Sequence, residues 1–414
     1  MSQHWLILAD DLTGAADAAV AFARRGHDTD VHWGDTPLGG CPAVHALNLD
    51  SRAITAGDAA ARHRDAVQRW HVGQALFKKI DSTLRGHPAV EMAAISAVLR
   101  ERGRPSWGLL APANPAMRRT TRGGRVLVDG TPLEDSVIWK REHSYPDADL
   151  ATVVRSAGLR AILLPLAELR GAAAAIRDRF AAAAASDQEA GTIVVSDAET
   201  DADLERLVAA AREFPPGFFV GTAGLGNALA RSAPGRPRAR VTLDPTSRGT
   251  LVAVGTPAQV SREAARRLAA SEGIDLMRVS ADDLAASPPG DGQVAMGIGA
   301  RLNRGETVVA LLDVPDVAGG ALNSRYARGF AASLGSALEQ MGALIVTGGD
   351  TATALLARCN VHGIRLLEEL EPGIALGMTR GPVEVPVVTK PGAFGDEESL
   401  RRCLDALKEL RRNA

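Results

Sequence analysis

The chain has 414 residues, 46% of them apolar and 23% charged, with a formal net charge of −2. That length allows about two globular domains, and the near-neutral balance argues against a nucleic-acid-binding protein, which would be basic. Three cysteines, Cys41, Cys359 and Cys403, stand far apart without zinc spacing. No apolar run is long enough to span a bilayer, and Asp10-Asp11 sits where a signal peptide would need its apolar stretch. A reduced, cytoplasmic setting is the expectation.

The first predicted strand is His4–Ala9. Asp10-Asp11-Leu12-Thr13-Gly14 breaks it, and an amphipathic helix follows from Ala15 to Arg25, stopped by Gly26 in a left-handed cap. Strand patterns recur at Val44–Leu49, Gln74–Ile80, Trp107–Ala111, Ala161–Pro165, Thr192–Ser196 and Phe218–Gly221. Helical patterns at Ala56–His71 and Pro88–Arg102 fall between them, and Ala172–Ala185 reads as a surface helix. Such alternation predicts βαβ units and largely parallel sheets. Ser232-Ala233-Pro234-Gly235-Arg236-Pro237-Arg238 lacks apolar periodicity and reads as a linker. The expected domains are therefore 1–235 and 248–414. The second half restarts with strands at Thr250–Val254, Gln293–Met296, Thr307–Leu312 and Ala343–Val346.

Two junctions in the first half carry chemistry. Asp10 and Asp11 are adjacent carboxylates at a strand's carboxyl end, where ligands bind in α/β proteins. One can cap the helix, but two repel unless a cation, proton or metal lies between them. Lys78-Lys79-Ile80-Asp81-Ser82-Thr83-Leu84-Arg85-Gly86-His87 is the second junction. Its cations, hydroxyls and carboxylate suit a small, anionic, hydroxylated ligand; the alternative is a polar loop with a helix cap.

In the second half, Thr347-Gly348-Gly349-Asp350-Thr351 joins a strand to a helix start, where backbone N–H groups and the helix dipole favour an anion. Val388-Thr389-Lys390-Pro391-Gly392-Ala393-Phe394-Gly395 and Val254-Gly255-Thr256-Pro257 are comparable strand-end loops. Three in one domain favour a nucleotide site. No Walker motif or dinucleotide fingerprint is present.

These motifs resemble the four-carbon acid sugar kinases. Ala9-Asp10-Asp11-Leu12-Thr13-Gly14, Asp50-Ser51-Arg52, Lys79-Ile80-Asp81-Ser82-Thr83-Leu84-Arg85-Gly86, Ala111-Pro112-Ala113-Asn114-Pro115, Gly221-Thr222-Ala223-Gly224-Leu225, Gly348-Gly349-Asp350-Thr351 and Lys390-Pro391-Gly392-Ala393-Phe394-Gly395 follow the family's order over nearly the whole chain. The family's Gly-Ser turn reads Gly255-Thr256, which keeps the hydroxyl. The resemblance implies two α/β domains with an interdomain active-site cleft. It also implies a sugar acid bound by the first domain, ATP bound by the second, and phosphoryl transfer to the terminal hydroxyl of threonate, erythronate or an oxo-tetronate. Two such sites imply closure about the linker.

On this reading Asp10 or Asp11 orients or deprotonates the attacking hydroxyl. Arg85 grips the substrate carboxylate, unless it is an ion pair with Asp81. Thr13, Asp81, Ser82 and Thr83 complete the substrate side. Gly255, Thr256, Gly348, Gly349, Thr351, Gly392 and Gly395 cradle ATP. Lys390 neutralises phosphoryl charge, unless it is an exposed lysine. Asp350 helps hold Mg²⁺ or caps its helix. The rival readings are a kinase for another short sugar or keto acid, a two-lobed sugar-acid sensor without catalysis, and a nicotinamide dehydrogenase. The expected partner is a small sugar acid, with no nucleic acid or membrane; the sequence leaves a homo-oligomer open.

Overall fold

The computed structural model describes residues 4–34, 42–136, 139, 145–186, 191–237, 240–280, 284, 292–314 and 320–412; Cys41 lies outside them. The chain forms two compact units, Met1–His27 with Pro42–Arg236, and Asp28–Cys41 with Pro237–Ala414. The change from one to the other at Arg236 falls inside the expected linker. One segment departs from the expected division, for residues 28–34 go with the second unit.

The strands are, in chain order, β1 (Trp5–Ala9), β2 (Thr29–His32), β3 (Val44–Asn48), β4 (Ala75–Lys79), β5 (Gly108–Ala111), β6 (Arg119–Arg122), β7 (Arg125–Val128), β8 (Thr131–Pro132) and β9 (Arg160–Leu164). They continue as β10 (Thr192–Ser196), β11 (Phe218–Gly221), β12 (Thr250–Val254), β13 (Leu276–Ser280), β14 (Val308–Asp313), β15 (Ala343–Thr347), β16 (Gly363–Glu371), β17 (Ile374–Arg380) and β18 (Pro386–Lys390).

The sheet of the first unit runs β3-β1-β4-β11-β5-β10-β9, every pair parallel. Its central strands are buried on both faces, which explains why they read as unbroken apolar runs. The register sets Ala9 of β1 level with Asn48 of β3 and Lys79 of β4. The segments after β1, β3 and β4 therefore emerge at one edge.

After β1 comes α1 (Leu12–Ala23), which packs on the helix Ala223–Ser232; after β4 comes α3 (Pro88–Glu101), which packs on α2 (Ala56–Trp70). Leu6, Leu8, Leu76 and Ile80 join the core under α2 and α3, whereas Trp5 packs on Phe22 of α1 and on Phe219. Neighbouring strands thus send their helices to opposite faces. Such a switch point is where doubly wound sheets bind ligands.

In the second unit β13-β14-β12-β15-β18 are parallel, and β17, β16 and β2 extend the sheet antiparallel. Antiparallel pairing of β2 with Gly363–Arg365 is what draws this early strand into the second unit. Among the described residues no helix is long and apolar enough to cross a membrane.

Several sequence expectations need correction. Gln293–Met296 is not a strand but opens the helix Gln293–Asn303. Ala295, Ile298, Gly299 and Leu302 are buried at helical spacing, and Met296 is exposed, so the short apolar run belonged to a 3.6-residue period. The first helix begins at Leu12, earlier than expected, because Asp11 serves as its N-cap and Thr13 and Gly14 are already helical. The strands β2, β13, β16 and β17 had no distinct sequence signal.

One glycine shapes the floor of the site. A Cβ on Gly224, at the start of helix Ala223–Ser232, would lie 2.3 Å from the Ala113 carbonyl oxygen and 3.1 Å from Asn114 Cα. Gly224→Ala is therefore expected to overpack this junction, at a cost of about 1–3 kcal/mol, and to displace the loop bearing Asn114. Thermal unfolding tests it; an unchanged Tm would show that the helix shifts freely.

Candidate active site

The site of the first unit begins with adjacent like charges. Asp10 is buried at the end of β1. Asp11 caps α1 by accepting from Gly14 N at 3.0 Å and from the Thr13 hydroxyl at 2.8 Å. The cation that this pair requires is Arg52, from the loop after β3. Its Nε donates to Asp10 Oδ2 at 2.7 Å, and its Nη1 and Nη2 donate to Asp11 Oδ2 and Oδ1 at 3.0 and 2.9 Å. Asp81 Oδ1 lies 3.9 Å from the same guanidinium.

The loop is shaped for this contact. Asp50 is left-handed (φ 47°), and Ser51 N and Arg52 N both donate to the Asp10 carbonyl, at 3.0 and 3.3 Å. Burial alone would depress the Arg52 guanidinium, but Asp10, Asp11 and Asp81 raise it well above its ordinary value.

Asp81 organises the second junction. Its Oδ2 accepts from Thr83 N at 3.0 Å, from the Thr83 hydroxyl and from Arg85 Nε at 3.1 Å; its Oδ1 accepts from Arg85 Nη2 at 2.9 Å. Leu84 is held left-handed at φ 60° while its side chain stays in the core. Only a well-determined surrounding keeps a non-glycine residue there. Arg85 thus forms the Asp81 ion pair that the sequence offered as its alternative role.

The period of two along β4 sends successive lysines to opposite faces. Lys78 is fully buried with its Nζ 2.8 Å from Glu91 Oε2 on α3, and the Ser51 hydroxyl donates to Glu91 Oε1 at 2.6 Å. His63 of α2 lies 3.7 Å from the same carboxylate, and burial pushes its imidazole down to about 4. Lys79 faces the start of α1, with Nζ on Ile80 O at 3.0 Å and 3.2 Å from where a Gly14 Cβ would sit.

Arg119 completes the cluster from the first position of β6. Paired backbone bonds with Asn114, at 2.8 and 3.1 Å, fix it there, and its Nη1 donates to the Ser82 hydroxyl. Sequence reasoning assigned no role to Arg52, Lys78, Lys79, Glu91 or Arg119. Only the general crowding of cations around Asp81, and the family motif holding Arg52, signalled some of them.

In the second unit the three glycine-bearing loops leave the adjacent strands β12, β15 and β18. They fit only because they lack side chains. A Cβ on Gly255 would lie 2.2 Å from Thr351 Oγ1, and one on Gly392 would lie 2.2 Å from Thr256 Oγ1. Gly348 is left-handed (φ 91°) and no side chain caps the helix Gly349–Arg358 that follows, so its amino end suits an anion.

Lys390 is not an exposed lysine. It is fully buried, with Nζ 2.7 Å from Ser261 Oγ, and burial pushes its ammonium down to about 8. Gly395 (φ 72°) turns the chain beside it, its Cβ position 3.5 Å from Lys390 Cε. Asp350 is exposed in the first helical turn and accepts from Ser324 Oγ at 3.1 Å. Among the described residues no group of three or more His, Cys, Asp and Glu could hold a metal ion.

Known proteins share this layout. Residues 5–229 match a sugar-binding N-terminal domain, and residues 251–400 match a nucleotide-binding C-terminal domain. A D-threonate kinase of Cupriavidus necator is 36% identical, covering 98% of this chain and 99% of that protein. A D-threonate kinase of Bordetella bronchiseptica is 33% identical, covering 98% of each. A crystal structure of a Haemophilus influenzae protein shares the fold, with a TM-score of 0.73 at 20% identity over 97% of this chain and 100% of that one. The chain belongs to the four-carbon acid sugar kinase family.

The carboxylates give the site an acid limit. Burial would raise Asp81, but Arg85 and Arg52 hold it well below its ordinary 3.8. Its stabilisation is therefore full above the unfolded carboxylate range and is lost as pH falls through and below about 4. Tm is expected to drop between about pH 5 and about pH 2.5, with a shallower slope in Asp81→Asn. Parallel slopes for the two proteins would show that Asp81 contributes nothing to the acid limb.

Proposed function

We propose that this chain is an ATP-dependent kinase that phosphorylates the terminal hydroxyl of a four-carbon acid sugar, with D-threonate the foremost acceptor. The observation that carries the reading is the switch-point cluster in which Arg52 ties Asp10, Asp11 and Asp81 together beside the hydroxyls of Thr13, Ser82 and Thr83. Such a set offers fixed charge to a polyol acid and a carboxylate to its reacting hydroxyl. The choice of D-threonate draws on the activity named for the Cupriavidus and Bordetella relatives.

Within the cluster we assign activation of the hydroxyl to Asp11. Its side chain is 15% exposed against 3% for Asp10, and Asp10 Oδ1 is closed off from solvent. A base must reach the proton it takes. Arg52 holds Asp11 in place through two hydrogen bonds, and Asp10 fixes Arg52 from below. Asp81 sets the loop carrying Ser82, Thr83 and Arg85 along the substrate side.

In the second unit Gly255, Thr256, Gly348, Gly349, Thr351, Gly392 and Gly395 shape a surface that accepts a triphosphate, and Lys390 offsets its charge. Bound ATP supplies the phosphoryl group and Mg²⁺ part of the neutralising charge. Asp350 fits as the protein's carboxylate toward that ion, which binds through one or two carboxylates plus phosphate oxygens.

A coupled ADP-release screen across D- and L-threonate, D- and L-erythronate and their oxo relatives tests the reading. The expected result is acid-dependent turnover with the highest kcat/KM for D-threonate; no release with any of these acids would sink it. Asp11→Asn is expected to lower kcat by about 10²–10⁴, whereas Asp10→Asn acts first on Tm. Wild-type turnover in Asp11→Asn would remove it as the base.

Lys390 gives a separate signature. With its ammonium near 8 in the free protein, a triphosphate bound beside it would favour the charged form. Nucleotide binding at about pH 8.5 should then take up protons, and binding at about pH 6.5 should not. Calorimetry in buffers of different ionisation heat reads this directly. Equal uptake by Lys390→Met would show that another group is responsible.

A further inference from the structure

A sugar acid brings a negative charge as well as hydroxyls, and the site must hold a cation left over for it. The carboxylates of the cluster are Asp10, Asp11, Asp81 and Glu91, and each is already paired. Arg52 spans the first two, Arg85 takes Asp81 and Lys78 takes Glu91. The cations are Arg52, Lys78, Lys79, Arg85 and Arg119. Five against four leaves the cluster one positive charge in excess, which is the charge of one monocarboxylate.

The excess lies with Lys79 and Arg119, because each meets only a neutral oxygen among the described residues. Lys79 donates to the Ile80 carbonyl and Arg119 to the Ser82 hydroxyl. Arg119 is the better match. Its Nε is buried without a partner, and its fork fits a carboxylate through two parallel N–H bonds, which an ammonium cannot offer. Burial lowers the guanidinium from its ordinary value, with Asp81 only partly opposing this. A half-buried guanidinium with no carboxylate against it among the described residues carries part of the cost of burying a charge until an anion arrives. Arg85, by contrast, already spends its Nε and Nη2 on Asp81.

We propose that Arg119, rather than Arg85, receives the carboxylate of the acid sugar and makes the site select acids over neutral polyols. The proposal rests on the kinase reading above. Asn114 holds Arg119 in place through backbone bonds, so it is a positioning residue for that contact.

The test compares wild type, Arg119→Gln, Arg119→Lys, Lys79→Met and Arg85→Gln with D-threonate and with D-threonamide, its neutral carboxamide. Arg119→Gln should raise the threonate KM by about 30-fold or more, leave the ATP KM unchanged, and remove the preference for acid over amide. Its Tm should not fall, since no ion pair is lost. Arg119→Lys should recover part of the preference and carries the test if the glutamine variant does not fold. Wild-type KM and acid preference in Arg119→Gln would overturn the proposal, as would loss of preference in Lys79→Met or Arg85→Gln alone. If wild type turns over none of the acids, the kinase reading has failed instead. In that case threonate binding by calorimetry still decides whether Arg119 holds the carboxylate, with undiminished affinity in Arg119→Gln ruling it out.

Discussion

Arg52 is the constraint on which the rest of the first site depends. Two carboxylates leave the end of β1 side by side and a third leaves β4 next to it. At roughly 4 Å and an effective dielectric near 20, each like-charge pair costs about 4 kcal/mol. One guanidinium removes that cost by lying against all three. Because it arrives from the loop after β3, the arrangement also fixes that loop, whose backbone amides return to the Asp10 carbonyl. Removing one partner of such a buried set typically costs about 3–5 kcal/mol, so these charges are structural before they are chemical.

The parallel sheet supplies the second constraint. Adjacent strands β1 and β4 pass into helices on opposite faces, and the edge between them opens there. The alternation of β4 then divides its lysines: Lys78 goes down to Glu91 under α3, and Lys79 goes toward the start of α1. A strand of five residues thus charges both sides of the opening. The second unit solves a different problem with less charge. Its loops interlock by omission of side chains, at Gly255 against Thr351 and Gly392 against Thr256, and its cation, Lys390, is held beneath them by Ser261.

Much of this could be read from the sequence, and the reasons for the remainder are physical. The central parallel strands were legible because burial on both faces makes them unbroken apolar runs, whereas the parallel edge strand β13 is only partly buried and gave no such run. Asp10, Asp11 and Asp81 stood out because charge directly after such a run needs an explanation. Arg52 and Arg119 did not, because their partners are distant in sequence and an arginine in a polar stretch looks like solvated surface. The same holds for β2, whose pairing with Gly363–Arg365 no local pattern announces. Gln293–Met296 failed for another reason, since a four-residue apolar run fits either period until the burial of Ile298 and Leu302 selects the helix. For Lys390 the sequence left two readings open, a charge toward the phosphoryl group or an exposed lysine, because nothing near it in sequence shows that Ser261 lies over its buried end.

The central claim is that the charge cluster at the end of β1 and β4 is an acceptor site for a short polyol acid. A crystal structure with D-threonate bound tests it most directly. The account predicts the carboxylate against Arg119 and a hydroxyl oxygen within hydrogen-bond reach of Asp11. Threonate seated instead among the loops at Gly255, Gly348 and Gly392, or bound with no contact to the residues that Arg52 gathers, would contradict it.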